Sequence, residues 1–150
     1  MPLLILVFLF SMFLPACIMK AKKQSGQPLE CTLNLPQKVV ANTLLTFRMT
    51  LINRAGKAIE LGLGGNPPSR FSVTTEADVL VWESTGGNPI QQLLELRTLA
   101  PGDSIVFTRE WNLTDSTGTP VQRGTYTVHG WVELDPPFTA RADPARLTIE

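Results

Sequence analysis

The chain has 150 residues, 43% of them hydrophobic, and 13 basic side chains balance 13 acidic ones. That is too apolar for a disordered chain, and a neutral chain without a basic stripe has no electrostatic reason to bind nucleic acid. The cysteines, Cys17 and Cys31, form neither a disulfide framework nor a Cys/His metal cluster, and 12 Pro and 11 Gly are scattered as turn punctuation rather than as a repeat.

Residues 2–19 read PLLILVFLFSMFLPACIM, and no charge appears before Lys20. The stretch predicts a hydrophobic N-terminal helix, a signal peptide or membrane anchor over residues 1–19, with 20–28 as linker. It ends in Leu14-Pro15-Ala16-Cys17, which resembles a bacterial lipobox, in which the cysteine is lipidated and becomes the mature terminus. Acyl chains on Cys17 would hold the protein at a membrane through buried methylenes. The first reading is therefore a lipoprotein on the cell-envelope side. The second follows from Lys20, Lys22 and Lys23 and from the lack of a basic residue before the run. Under the positive-inside rule these suit an uncleaved single-pass anchor with the domain in the cytoplasm.

Beyond Pro28 the apolar period becomes two, which predicts one domain over 29–150. Leu45, Phe47, Met49 and Leu51 fall on one face, with Thr46, Arg48 and Thr50 on the other. After the turn Asn53-Arg54-Ala55-Gly56, Ile59, Leu61 and Leu63 alternate into Gly64-Gly65-Asn66-Pro67-Pro68, which ends the strand. Phe71 and Val73 alternate again. Val79 to Trp82 is a continuous apolar run, predicting a strand buried on both faces. Residues 83–89 are loop, and Ile90 to Leu99 fits helix and strand comparably. Ala100-Pro101-Gly102-Asp103 is a turn leading to Ile105, Phe107 and Trp111. Asn112 to Gly124 is a polar loop whose small residues predict flexibility. Tyr126, Val128, Val132 and Leu134 form the inner face of the clearest strand, and Leu147 and Ile149 close the chain. The fold class expected is all-β, an immunoglobulin-like antiparallel sandwich of seven to eight strands. Phe47, Met49, Leu51, Trp82, Phe107, Trp111, Tyr126 and Val128 should fill its core.

Several fixed points of this body look like the intracellular proteinase inhibitor family, the BsuPI-like domains. They run from Phe71-Ser72-Val73 through Val81-Trp82-Glu83-Ser84, Gln91-Gln92 and Leu99-Ala100-Pro101-Gly102-Asp103-Ser104 to Trp111 and Gly124-Thr125-Tyr126-Thr127-Val128. The resemblance covers residues 30–135 and rests on order and spacing. It implies proteinase inhibition. Glu83 departs from the basic residue that often follows this Trp in the family.

The residues themselves suggest no chemistry. The single histidine, His129, sits mid-strand beside Thr127 and Trp131, no Gly-x-Ser-x-Gly elbow supplies a nucleophile, and Cys31 between Leu29 and Leu33 reads as a buried, inert thiol. Tyr126, two residues after Gly124, reads as a corner tyrosine that bonds nearby backbone. Neither cofactor, metal nor small-molecule substrate is expected. The function expected is a membrane-tethered, non-catalytic protein-binding or assembly module with an unidentified protein partner, and the alternative is a proteinase inhibitor acting through an exposed loop. Candidate contact residues are Asn66, Pro67 and Pro68, then Glu83, Gly86 and Asn88, then Asp115, Thr117 and Thr119. Ordering a flexible loop at 112–124 would cost roughly 1 kcal/mol or more per residue. The sequence therefore predicts weak or no inhibition of common serine proteinases and slow cleavage in that loop.

Overall fold

The computed structural model describes residues 28–65, 67–85, 94–135 and 138–150. The expected N-terminal helix lies outside them, and among the described residues no helix is long and apolar enough to cross a membrane. The expected all-β body is present, with eleven strands among the described residues rather than seven or eight. The three beyond eight are Leu29–Asn34 (β1), Lys38–Val39 (β2) and Thr139–Arg141 (β10), each of which pairs with a longer strand and none of which the residue pattern marks by itself.

One sheet has the order β1 (Leu29–Asn34), β3 (Leu45–Asn53), β8 (Ser104–Trp111). A larger one runs β2, β11 (Ala145–Ile149), β9 (Gly124–Glu133), β5 (Ser69–Thr75), β6 (Leu80–Glu83), with β10 also pairing β9. A third ladder joins β4 (Ile59–Gly64) to β7 (Leu94–Leu99). All pairings are antiparallel except β2 with β11. The window at 90–99, ambiguous by period, is a strand where it is described. Register explains that outcome, because Leu99 meets Ile59 and Leu96 meets Gly62.

The period-two faces pack as their alternation requires. Phe47, Met49 and Leu51 of β3 are fully buried, as are Phe71 and Val73 of β5 and Val128 and Val132 of β9. The first two sheets meet through aromatic rings: Phe47 stacks on Phe71 at 5.7 Å between centroids and on Trp111 at 6.0 Å, and Trp82 lies 5.7 Å from Trp111. Such pairs add to the area they bury. Two core expectations are corrected. Trp82 and Phe107 are half-buried, because β6 and β8 are edge strands that cover only one side of each ring. For the same reason Val79 to Trp82 is not buried on both faces: Val79 is 60% and Leu80 55% exposed.

One buried polar side chain stitches the ladders together. Asn53 is wholly buried where β3 gives way to the turn before β4. Its Nδ2 donates to Lys57 O and to Leu99 O, each at 2.9 Å, and its Oδ1 accepts the Ala55 amide at 2.8 Å. Its backbone joins the opposite corner, accepting from Gly102 N and donating to Asp103 O at 2.9 Å each. Gly102, at φ +83°, provides the left-handed residue that this corner needs. The β3–β4 and β7–β8 bends are thereby fixed to each other.

Candidate partner-binding surface

The connection from β8 to β9 is the most cross-linked loop of the described chain, and Asp115 organises it. Its Oδ1 accepts the Thr117 amide at 2.9 Å, the Thr117 hydroxyl at 2.6 Å and the Thr119 amide at 3.0 Å. These donors, the Thr117 hydroxyl first and the Thr119 amide next, hold the Asp115 carboxyl below the usual carboxylate range. Backbone bonds close the same turn, from Asp115 N to Thr119 O at 2.8 Å and from Gly118 N to Asp115 O at 3.1 Å, with Gly118 at φ +85°. At the root, Thr114 bridges Pro120, Val121 N donates to Leu113 O at 2.9 Å, and Trp111 Nε1 donates to Thr114 O at 2.7 Å.

Leu113 shows how firmly this root is held. Its φ is +59°, a conformation that costs a leucine roughly 1–2 kcal/mol. Its side chain is nonetheless buried in the core, 2% exposed, and that burial offsets the strain. The tip is strapped from the side as well, since Ser116 N donates to Val81 O of β6 at 3.1 Å. The expected flexibility of this loop is thus overturned. Ser116, Thr117, Gly118 and Thr119 are small and exposed, yet all four amides are bonded, those of Thr117 and Thr119 to the Asp115 carboxylate, that of Gly118 to the Asp115 carbonyl and that of Ser116 to β6.

Beside the loop, β6 and β8 border an open groove lined by Trp82, Glu83, Ser84 and Thr85 on one side and Thr108, Arg109 and Glu110 on the other. Ser84 is 5% exposed, and its Oγ accepts the Phe71 amide at 3.1 Å. Arg109 Nη2 donates to Ser84 O, joining β8 to the residue that follows β6. Glu83 is half-buried as the last residue of β6 rather than part of a loop, and it accepts the Thr85 hydroxyl at 3.1 Å.

The sequence candidates therefore separate. Asp115, Thr117 and Thr119 form one tip, and Glu83 lines the groove next to it. Pro67, exposed, and Pro68, half-buried, precede the far end of β5, where Pro68 O accepts the Glu133 amide at 2.8 Å. Cys17, Asn66, Gly86 and Asn88 lie outside the described residues. Arg109, Leu113 and the backbone of Ser116 carry much of the arrangement and escape sequence reasoning, because a cross-edge bond, a positive φ and a strand contact leave no local pattern. His129 is half-buried and lies 3.3 Å from Thr74 Oγ1. Desolvation pushes the half-buried Cys31 thiol up to about 11, which keeps it protonated. Tyr126 donates its hydroxyl to Gln122 O at 2.7 Å, as its corner position predicts. Among the described residues, no group of three or more His, Cys, Asp or Glu could hold a metal ion.

The model of the BsuPI family, described as intracellular proteinase inhibitor, matches residues 33–136. The chain belongs to this family. The match runs from β1 through β9, so it takes in the groove and the whole Asp115 loop. No curated relative matches the chain in sequence. In structure it is similar to the sporulation control protein Spo0M from Bacillus subtilis, at TM-score 0.50 and 11% identity over 83% of this chain and 50% of that one. It is also similar to the CARDB domain of a Pyrococcus furiosus protein, solved in complex with di-metal ions, at TM-score 0.44 and 16% identity over 81% of this chain and 87% of that one. At these identities the first likeness speaks for the fold alone, and the second carries no argument.

Proposed function

We propose that this BsuPI-family chain is a non-catalytic protein-binding module of immunoglobulin-like form, tethered to a membrane by its N-terminal segment, that meets its partner with the tip around Asp115. The observation that carries this reading is the cross-linked state of the tip: one carboxylate oxygen accepts from Thr117 twice and from Thr119 once, and the root is fixed by Trp111 and Leu113. A loop already held in one shape loses little entropy on binding, so more of its contact energy appears as affinity. The groove beside it, lined by Trp82, Glu83 and Arg109 among others, would receive what extends past the tip. The membrane tether rests on the apolar run and the Leu14-Pro15-Ala16-Cys17 sequence.

Family membership favours a second, more specific reading, in which the partner is a proteinase and the bound module inhibits it. The entropic objection raised by the composition of the loop does not apply to a tip with these hydrogen bonds. A tight turn is a poor substrate, because a proteinase cleft takes an extended strand, so the tip would contact the enzyme without being cut. Titration of subtilisin activity with the protein tests this. The inhibitor reading expects saturable inhibition that weakens in Asp115→Ala. Absent inhibition, with partner capture from membranes still lost in Asp115→Ala, would leave the binding module alone. Capture and inhibition both insensitive to Asp115→Ala would remove the tip from the account.

A further inference from the structure

Among the described residues no strand pairs with the outer edge of β7, where Leu94 and Leu96 are 53% and 65% exposed. The direction of its backbone groups follows from its partner. Gly62 lies opposite Leu96 and gives its carbonyl to Asp135 N at 2.7 Å, on the side away from β7. In an antiparallel ladder the N–H and C=O of one residue point the same way, so Gly62 and Leu96 form a non-hydrogen-bonded pair. The N–H and C=O of Leu96, and by alternation those of Leu94 and Thr98, therefore point outward. Leu99 agrees with this parity: its carbonyl is turned inward and accepts Asn53 Nδ2 at 2.9 Å.

We propose that this edge pairs with the β7 edge of a second copy of the chain, antiparallel and two-fold symmetric about Leu96, so that Glu95 of each copy faces Arg97 of the other. Parity restricts the choices, since outward groups occur at even positions only and a ladder must pair even with even. Registers centred on Glu95 or Arg97 would bring like charges face to face, which is destabilising. The register centred on Leu96 sets opposite charges across from each other twice and joins the two exposed Leu96 side chains. An isologous contact of this kind closes on itself as a dimer and does not propagate into a fibre. In a single copy Glu95 and Arg97 neutralise each other, with Arg97 Nη2 2.6 Å from Glu95 Oε1. Pairing exchanges that bond for two across the interface. A ladder this short buries little area, which places the contact among weak, concentration-dependent dimers.

The test uses the full chain in detergent, with Leu96→Cys introduced and disulfide formation driven by a mild oxidant. The expected result is a dimer band several-fold stronger than in the parent, whose own Cys17 and Cys31 set the background. Val106→Cys on the exposed edge of β8 should stay at that background. Adding Arg97→Glu to Leu96→Cys should abolish the band, and adding Glu95→Arg to that pair should restore it, because the swap keeps the complementarity. Sedimentation velocity on chains without added cysteine should show the same loss and rescue. A band that ignores Arg97→Glu, or one that the double swap fails to restore, would overturn the symmetric dimer and leave the edge to an extended peptide of another protein.

Discussion

Asn53→Ala should destabilise the domain more than any surface substitution, and its size follows from the hydrogen bonds lost. The amide makes three, to Lys57 O, Leu99 O and Ala55 N, from a wholly buried position. At roughly 1 kcal/mol net for each bond, with some extra cost for a carbonyl left dry, the loss is about 2–4 kcal/mol. A domain of this size loses about 4 °C in Tm per kcal/mol, so thermal unfolding followed by far-UV circular dichroism should move down by about 8–16 °C. Asn53→Asp separates the donors from the volume. It keeps the acceptor toward Ala55 but turns carboxylate oxygens toward two carbonyls, which favours the protonated acid and raises its pKa when folded. A raised folded pKa means that the stability is present below the unfolded value near 4 and is lost as pH rises above it. Asn53→Asp should accordingly be at least as unstable as Asn53→Ala at pH 7 and should recover as pH falls toward 4. A drop in Tm under about 3 °C for Asn53→Ala, or an Asn53→Asp variant indifferent to pH, would refute the claim that this side chain joins the two corners.

Two further perturbations address smaller parts. Tyr126→Phe removes the bond to Gln122 O and should cost about 1 kcal/mol in urea denaturation, with the slope unchanged because the exposed area is the same; no change would mean that the hydroxyl is as well solvated when unfolded. Cys31, with its thiol at about 11 rather than the ordinary 9.0, should label at pH 8 about a hundredfold more slowly folded than in denaturant, and the stability that burial gives the neutral thiol should fade as pH climbs from about 9 toward 11. Equal labelling rates in the two states would place Cys31 in open solvent.

What the residue pattern reveals of this protein is its faces, and what it conceals is its edges. Leu45, Phe47, Met49 and Leu51 alternate with polar neighbours and pack as that alternation requires, as do Tyr126, Val128 and Val132. Trp82 and Val79 are equally apolar, but pairing on one side only leaves them half-buried and exposed, and pairing partners are distant in sequence. The family was legible because its fixed points lie at turns and core aromatics, where spacing is constrained. The tip is hidden for the opposite reason. Composition counts Ser116, Thr117, Gly118 and Thr119 as flexible, whereas their conformation is decided by one acceptor, Asp115, and by a strained leucine buried beneath it.

The central claim is that the 112–124 loop is held in a single shape that a partner can meet without reordering it. The most direct measurement is limited proteolysis by subtilisin, with intact-mass analysis of where the first cuts fall. The wild-type loop should stay whole while Asp115→Ala is cut between Asn112 and Gly124, and acidification that protonates Asp115 should loosen the loop in the same way, since a carboxyl held below its ordinary range loses that stabilisation as pH falls. Prompt cleavage of the wild-type loop at neutral pH, at the same rate as in Asp115→Ala, would contradict it.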